Sequence, residues 1–539
     1  MKLGYACLVV GAVVGAGGMQ AWAAGDCGAL AKLQIENTTI SEAIAVAGGT
    51  PYPFSSGFGP AVVLTSLPAH CLVHGEVNHH KAADGQEYGD KFEVRLPVEW
   101  GGRFLFEGGG GLDGIVKPAI ALQGAEVTPE SKSALSLGYV VATSDGGHAD
   151  HGPFAMDAAF GADPESRIDY NYRSTKLVTD VARKLMAAFY GSGAKHSYFQ
   201  GCSNGGREGL QMVERYPDEF DGVIVGAPAF NLSNAAIAEA WNTDEIAKIS
   251  PKKADGTPDL AQGLTEADLK LLVAGVLDKC DALDGLKDGL IENPEACHFD
   301  PAVLECGAGK TDGCLSAAKV KVVKDIFAGP RDSAGKAIYH SWQYDSGDSA
   351  DGWRVWMTGN QMMPSINVLI FPSFFNGLAL RGVGPKIDIF HFDFDKDPAR
   401  IAKSAEEINA TNADWSGFRK HGGKVLLYTG VSDPVFSALD LIRFYKEVKA
   451  ANGGEQGNFT RLYLAPGMNH CSGGPGLDNF DTLGAMQGWV EEGKAPGSLI
   501  ATGKTFPGRS RPLCAYPLVA KYPGTGDTES AASFRCEKP

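Results

Sequence analysis

Residues 201–205 read GCSNG and match the pattern G-x-S-x-G, with Ser203 at its centre. An apolar run at residues 197–200 precedes the pattern, and a stretch that favours a helix, residues 207–215, follows it. Such a pattern presents a serine hydroxyl on a sharp strand-to-helix turn, where the hydroxyl can attack an electrophilic carbon. The context favours Ser203 as a nucleophile over an incidental serine in a glycine-rich turn.

A serine nucleophile needs a base and a group that orients the base, and in this kind of site the chain order is serine, acid, histidine. Asp433 lies in a turn just after the apolar run at residues 424–428, and His470 lies in the loop after the run at 461–464. No other histidine follows Asp433 in the chain. The positions predict a triad of Ser203, Asp433 and His470. The alternatives are a turn-forming role for Asp433 and a structural or surface role for His470.

The oxyanion of an acyl-transfer reaction needs two backbone N–H donors. One is expected from Asn204, the residue after the nucleophile, and the other from the glycine loop at residues 108–111, which follows the apolar run at 103–106. Residues 109–114 also match the dinucleotide fingerprint G-x-G-x-x-G. Pro118 interrupts the expected helix and no clear strand-ending acid lies about 20 residues further on, so we set a dinucleotide site aside.

Two cysteines flank the predicted nucleophile and base. Cys202 immediately precedes Ser203, and Cys471 immediately follows His470. If the serine and the histidine are within hydrogen-bond reach, their neighbours could approach disulfide distance. The expectation is a bridge that joins nucleophile to base, and the alternative is two buried thiols.

Residues 280–290, CDALDGLKDGL, contain the three closely spaced carboxylates of Asp281, Asp284 and Asp288. Carboxylate oxygens together with backbone carbonyls in a tight glycine-containing loop suit Ca²⁺. The spacing and the missing terminal glutamate exclude an EF-hand. The pattern predicts a calcium site, with a solvated acidic turn as the alternative.

Apolar runs alternate with helix-like stretches along most of the chain from Phe92 onward, which predicts a mostly parallel α/β sheet. The alternation stops between about Asn231 and Ala413, where we expect a large insertion. Residues 172–190 form the clearest amphipathic helix pattern. The predicted strands are residues 103–106, 139–143, 197–200, 222–226, 424–428 and 461–464.

The N-terminus reads as an export signal. Met1-Lys2 supplies a positive charge, an apolar run follows to Met19, and Ala21-Trp22-Ala23 matches a cleavage site. The predicted divisions are a signal peptide at 1–23, a catalytic domain at 24–230 and 414–539, and a lid domain at 231–413. The alternative for the first segment is a buried N-terminal helix.

Cleavage near Ala23 removes Cys7 and leaves ten of the eleven cysteines, an even number that suits disulfides in an exported protein.

A chain with 44% hydrophobic and 21% charged residues is globular. Its net charge of −16 argues against a nucleic-acid partner. We expect a secreted or periplasmic protein with no membrane segment after cleavage, and the oligomeric state stays open.

At residues 201–206, at 467–474 (GMNHCSGG) and in the acidic loop, the sequence resembles the tannase/feruloyl esterase family. The resemblance covers nearly the whole mature chain. It implies an α/β-hydrolase core with an inserted lid, Ser203, Asp433 and His470 as the triad, and Gly111 with Asn204 as oxyanion donors.

The resemblance also implies a structural calcium ion in the lid, no organic cofactor, and a set of disulfides. The implied calcium ligands are Asp281, Asp284, Asp288 and the carbonyls of Leu286 and Leu290. The implied disulfides are Cys27–Cys71, Cys202–Cys471, Cys280–Cys297, Cys306–Cys314 and Cys514–Cys536.

The function that the resemblance implies is hydrolysis of small esters of aromatic, phenolic carboxylic acids through an acyl-enzyme. The alternative is hydrolysis of mono(2-hydroxyethyl) terephthalate, for which the family's enzyme uses a lid arginine on the substrate carboxylate and an acid after the serine. Here residues 365–380 contain no arginine, Arg381 lies just beyond them, and Asn204 follows the serine. The sequence also leaves open a peptidase, a lipase and a non-catalytic calcium-dependent binding protein.

Overall fold

The computed structural model describes residues 25–55, 61–125, 127–150, 156–310, 312–454 and 459–539. The signal peptide predicted at residues 1–23 lies outside the described residues, and its cleavage stays a prediction. Within the described ranges, no helix is both long and apolar enough to cross a membrane.

A nine-stranded sheet forms the centre of the fold. Its strands are β1 Thr38–Val46, β2 His70–Lys81, β3 Glu87–Pro97, β4 Arg103–Glu107, β5 Tyr139–Ser144, β6 His196–Cys202, β7 Gly222–Gly226, β8 Lys424–Gly430 and β9 Thr460–Ala465. They lie in the order β1-β2-β3-β5-β4-β6-β7-β8-β9. The six strands from β5 to β9 in that order are parallel, and the pairs β1–β2, β2–β3 and β3–β5 are antiparallel. The six predicted strands are the six parallel ones.

Burial explains why the parallel strands read as continuous apolar runs. Every residue of β5 and β7 is buried, because helices cover both faces of β7, and a helix on one face and loop residues such as Ile120 and Leu135 on the other cover β5. Strand β2 instead alternates, with Val73 and Val77 buried and His74 and Glu76 partly exposed. The sheet therefore has a fully covered parallel half and an antiparallel half with a polar face.

The helices pack against this sheet and build the lid. In α1, Val178, Val181 and Leu185 are buried in the sheet's core, and a π-helical turn at Asp169–Arg173 precedes the helix. The longer helices are α1 Ser174–Tyr190, α2 Asn204–Arg215, α3 Leu232–Ile249, α4 Glu266–Cys280, α5 Ala317–Ala328, α6 Asp351–Met357, α7 Ile366–Ser373, α8 Asp397–Ile408, α9 Ser416–His421, α10 Ala438–Ala451 and α11 Thr482–Glu492.

The chain between β7 and β8 contributes helices α3 to α9 and, within the described residues, no strand of the central sheet. Its apolar side chains form a second core with residues of the catalytic loops, such as Leu112 after β4 and Phe436 after β8. The lid therefore packs over the edge of the sheet where the parallel strands end. The boundaries 231–413 stay a prediction.

Five disulfides cross-link the described chain, and they are the five pairs that the resemblance implied. Two close short loops inside the lid, and one spans 269 residues. The pairs are Cys27–Cys71, Cys202–Cys471, Cys280–Cys297, Cys306–Cys314 and Cys514–Cys536.

Candidate active site

Ser203 lies between the end of β6 and the start of α2, with φ 63° and ψ −124°. A positive φ is uncommon for a residue with a side chain and marks a strained turn. The turn is held because the Ser203 N–H donates to the Gly226 carbonyl at 3.0 Å and the Ser203 carbonyl accepts from the Arg207 N–H at 3.1 Å. A Cβ at Gly201 would lie 2.4 Å from the Gly205 carbonyl oxygen, so both glycines of the motif are required by close backbone packing.

His470 and Asp433 form a hydrogen-bonded pair. The His470 Nδ1 lies 2.8 Å from Asp433 Oδ2, and Asp433 is buried. The other carboxylate oxygen accepts from the backbone N–H groups of Val435 and Phe436, at 2.8 and 3.1 Å. His470 Nε2, at the far side of the ring, is buried and has no hydrogen-bond partner among the described residues. The pair thus leaves one ring nitrogen available for a proton transfer.

The Cys202–Cys471 disulfide joins the residue before Ser203 to the residue after His470, with the two Cα atoms 6.0 Å apart. The alternative of two buried thiols is therefore wrong. The bridge brings the strained serine turn and the histidine loop together, although Ser203 and His470 are far apart in the sequence. The three residues predicted for a triad follow β6, β8 and β9, at the same edge of the parallel part of the sheet.

The glycine loop after β4 lies against the serine turn. A Cβ at Gly205 would lie 2.8 Å from the Gly109 carbonyl oxygen, so only a glycine allows this approach. Gly111 has φ 61°, and its carbonyl accepts from the Tyr170 hydroxyl at 3.2 Å. Asn204 is the first residue of α2, where backbone N–H groups have no partner inside the helix. Its side-chain amide is occupied by hydrogen bonds with Asp113, Glu208 and Arg207, which leaves the backbone N–H as the part of Asn204 able to bind an oxyanion.

Two aromatic rings enclose His470. Trp356 of α6 and Phe436 both meet the imidazole edge to face, with ring centroids 5.3 Å away. The Trp342 indole N–H donates to the Asp433 carbonyl at 3.1 Å. Sequence reasoning missed the two tryptophans, because no local pattern connects them to a histidine more than 100 residues away.

A family model described as tannase and feruloyl esterase matches residues 71–537. The chain belongs to this family.

Its relatives and structural neighbours agree with the match. The mono(2-hydroxyethyl) terephthalate hydrolase of Piscinibacter sakaiensis is 39% identical, over 88% of this chain and 86% of that protein. A probable feruloyl esterase B-2 of Aspergillus flavus is 30% identical over 76% of each chain. The structure of feruloyl esterase B from Aspergillus oryzae has a TM-score of 0.79 at 26% identity and covers 95% of this chain and 99% of that one.

The predicted α/β-hydrolase fold with an inserted lid is confirmed by this neighbour and by the tannin acyl hydrolase of Aspergillus niger, which has a TM-score of 0.70 at 24% identity, over 94% of this chain and 92% of that one. The protein is an enzyme, a carboxylic ester hydrolase of the feruloyl esterase and tannase type.

The lid arginine considered above as a partner for a substrate carboxylate is held in an ion pair. Arg381, just after the arginine-free segment 365–380, donates from Nη2 to Glu407 at 2.8 Å. Glu407 also accepts from Arg167 at 3.3 Å. The phenylalanines of the segment are lid core, with Phe374 and Phe375 almost fully buried.

A third lid residue that sequence reasoning missed connects the acid loop to the histidine loop. Asp345 is fully buried, and its Oδ2 accepts from the Ser432 hydroxyl at 2.7 Å and from the Gly467 N–H at 2.6 Å. Ser432 precedes Asp433, and Gly467 lies in the loop of His470. Burial raises the pKa of the Asp345 carboxyl. One lid carboxyl group thus connects the two loops that carry the pair.

Asp345→Ala is expected to lower kcat about 10-fold to 100-fold, because both loops lose a shared acceptor and small misplacements of catalytic groups are costly. Two buried donors left without a partner should cost about 2–6 kcal/mol of unfolding free energy, at about 1–3 kcal/mol each. Steady-state kinetics and urea unfolding measure both effects. Asp351→Ala is the control, since that side chain is 92% exposed. An unchanged kcat in Asp345→Ala would contradict this role.

The acidic loop holds its carboxylates with backbone donors. Asp281 Oδ1 accepts from the N–H groups of Asp288 and Gly289, at 3.1 and 3.0 Å, and Asp284 Oδ2 accepts from that of Glu292 at 3.1 Å. Burial, and more weakly Asp288 and Asp281, raises the pKa of Asp284 to about 6, and burial with Asp284 beside it raises that of Glu292 to about 8. Within the described ranges no three ligating side chains are already gathered around one point. Carboxylate and carbonyl oxygens are hard ligands of the kind that binds calcium. In the part of the chain that the structure describes, Asp281 and Asp284 have no cationic hydrogen-bond partner, whereas Asp288 Oδ2 is paired with Arg511 and Arg509.

Proposed function

We propose that this enzyme is an exported serine esterase that hydrolyses esters of aromatic, phenolic carboxylic acids through an acyl-enzyme on Ser203. The observation that carries the proposal is the His470–Asp433 pair, which the Cys202–Cys471 bridge holds beside the strained Ser203 turn.

The mechanism follows from the roles that these positions allow. Ser203 Oγ attacks the ester carbonyl while His470 Nε2 takes its proton, and the alcohol leaves with that proton. His470 then takes a proton from water, which attacks the acyl-serine, releases the acid and regenerates Ser203. Asp433 orients the imidazole and stabilises its protonated form. The backbone N–H groups of Gly111 and Asn204 hold the oxyanion in both steps.

An aromatic acyl group suits the surroundings of His470. Trp356 and Phe436 offer apolar ring surface beside the reacting centre, and burial of a substrate ring there is favourable. The pairing of Arg381 with Glu407 and the arginine-free segment before it favour an acyl group without a second carboxylate. Hydroxycinnamate and gallate esters meet both conditions.

Mono(2-hydroxyethyl) terephthalate is the second candidate substrate. The 39% identity to the hydrolase of that name from Piscinibacter sakaiensis favours it.

A substrate panel tests the proposal. Methyl ferulate, methyl caffeate, methyl gallate and mono(2-hydroxyethyl) terephthalate are compared by kcat/KM, and Ser203 is labelled with a fluorophosphonate probe. We expect labelling, and at least one phenolic ester preferred over the terephthalate monoester by about 10-fold or more. A preference for the terephthalate monoester would select the second candidate. Failure of both hydrolysis and labelling would overturn the esterase site and favour a calcium-dependent binding protein.

Export is supported by the five disulfides, which persist in oxidising compartments.

The partner that the proposal requires is a small aromatic ester, and the net charge of −16 is unsuited to binding nucleic acid.

A calcium ion in the lid is the remaining part of the proposal. Asp281, Asp284 and Asp288 would hold it, with the carbonyls of Leu286 and Leu290, and the ion would neutralise their mutual repulsion.

Chelation is expected to lower Tm by a few degrees, because an ion at 100 times its Kd stabilises the folded state by about 2.7 kcal/mol. Differential scanning fluorimetry with Ca²⁺ and with EDTA measures the shift. Asp284→Asn should lose the calcium response. Asp278→Asn should keep it, since that nearby side chain is 86% exposed. An equal response in both variants would contradict the site.

A further inference from the structure

Glu208 lies on α2, one turn after Ser203, and connects the serine turn to the glycine loop. Its carboxyl group is buried, with Oε2 accepting from the Gly109 N–H at 3.1 Å and Oε1 accepting from Asn204 Nδ2 at 3.0 Å. A single side chain thus contacts both elements that supply the proposed oxyanion donors.

Asp113 makes the matching contacts from the loop side. Its Oδ1 accepts from the Gly110 N–H at 2.9 Å and from Asn204 Nδ2 at 2.9 Å. Asn204 Nδ2 therefore donates to both carboxyl groups, which places Asp113 and Glu208 side by side. Two adjacent buried carboxylates repel each other, and a proton shared between them removes that repulsion.

The surroundings favour one shared proton. Burial, and then the neighbouring Asp113, raises the pKa of Glu208 well above its usual range. Arg207 opposes this, but its Nε is already bonded to Asn204 Oδ1 at 2.7 Å. His148 stays neutral near pH 7, since burial lowers its pKa to about 4. The other titratable groups that interact with the pair are Tyr170 and Asp145, and Lys117 lies beside the glycine loop, where it donates to the Gly109 carbonyl.

We propose that Glu208 is a positioning residue that, through a proton shared with Asp113, holds the glycine loop against the serine turn so that the Gly111 and Asn204 N–H groups converge on the oxyanion. The inference rests on the proposed serine mechanism. It adds to that mechanism the carboxyl pair that positions the two N–H donors.

A pH dependence follows. Because the folded pKa of Glu208 is raised above its unfolded value, the contribution of this group is present at low pH and is lost as pH rises through the folded pKa. Above that pH two adjacent carboxylates repel each other, the glycine loop separates from the serine turn, and kcat falls. The amide of Glu208→Gln keeps an acceptor for the Gly109 N–H and never becomes negative, so this variant cannot develop the repulsion with Asp113. It gives up the bond that Oε1 accepts from Asn204 Nδ2, which keeps Asp113 Oδ1 as its acceptor.

The experiment compares Glu208→Gln and Glu208→Ala with wild type by pH profiles of kcat and KM on methyl ferulate. Glu208→Gln is expected to keep kcat within about threefold and to shift the alkaline fall to higher pH, whereas Glu208→Ala should lower kcat about 10-fold to 100-fold with little change in KM. Glu214→Gln is the matched control: Glu214 lies on the same helix and burial raises its pKa to about 8, but its carboxylate binds the Asn412 N–H instead of the glycine loop.

An alkaline fall that is the same in Glu208→Gln and wild type would overturn the proposal, and so would an unchanged kcat in Glu208→Ala. If Glu208→Ala does not fold, the Glu208→Gln profile alone decides. A wild-type enzyme that neither hydrolyses the ester nor labels at Ser203 would instead contradict the proposed serine mechanism, so the two failures are distinguishable.

Discussion

Ser203→Ala is expected to lower kcat/KM for a phenolic ester such as methyl ferulate by a factor on the order of 10⁴–10⁶. In the proposed mechanism Ser203 Oγ is the atom that forms the acyl-enzyme, and alanine has no group that can replace it at this turn with φ 63°. The oxyanion donors and the aromatic rings around His470 stay in place, so the residual rate reports what binding and electrostatics alone achieve.

The comparison needs a folded variant and a matched serine. Losing one hydroxyl at a turn held by backbone hydrogen bonds should leave Tm almost unchanged, and thermal unfolding checks this. Ser498→Ala, at an exposed strand position, should keep full activity. The decisive measurement is hydrolysis with enzyme at high concentration, since low activity from contaminating esterases sets the detection limit. A Ser203→Ala variant with more than about a tenth of wild-type activity would show that another group is the nucleophile.

The parallel half of the sheet could be predicted from the sequence because its strands are covered on both faces. Strands β5 and β7 are buried at every position, so each reads as an unbroken apolar run followed by a turn. Because each apolar run ends in a turn, Ser203, Asp433 and His470 could be predicted to lie in loops after strands. In the structure those strands end at the same edge of the sheet.

The antiparallel half was not predicted, although β2 carries an alternating signal. Its partly exposed face bears histidines and carboxylates that pair across strands. His74 Nδ1 lies 3.0 Å from Glu42, and its Nε2 lies 2.8 Å from Glu93. Such polar residues lower the apparent hydrophobicity of a strand, and their partners lie on other strands.

The residues that support the site could not be found from local patterns. Asp345 belongs to the lid but binds loops that follow β8 and β9, and Glu208 looks like an ordinary polar residue of a helix. Trp356 carries no motif at all. Each of these residues acquires its role only through contacts that the tertiary fold creates. The nucleophile motif, in contrast, can be recognised from five consecutive residues.

The disulfide between the serine turn and the histidine loop should have the largest effect on stability. In the chain-entropy description, a bridge stabilises by restricting the unfolded chain, and longer loops gain more. Cys202–Cys471 spans 269 residues, which corresponds to about 5.6 kcal/mol, whereas Cys306–Cys314 spans 8 residues and corresponds to about 2.5 kcal/mol. We expect the Cys202→Ala/Cys471→Ala double variant to unfold at far lower urea concentration than Cys306→Ala/Cys314→Ala.

Activity separates two roles of this bridge. If the bridge only raises the free energy of unfolding, the double variant should have wild-type kcat at low temperature, where it is folded. If it also holds Ser203 beside His470, kcat should stay about 10-fold to 100-fold low under those conditions while KM changes little. The bridge joins residues adjacent to both reacting side chains, and the turn at Cys471 has φ 64°, so we expect the second result. The Cys306→Ala/Cys314→Ala control lies in the lid and should keep its kcat, because that bridge closes a loop that carries none of the residues proposed to react.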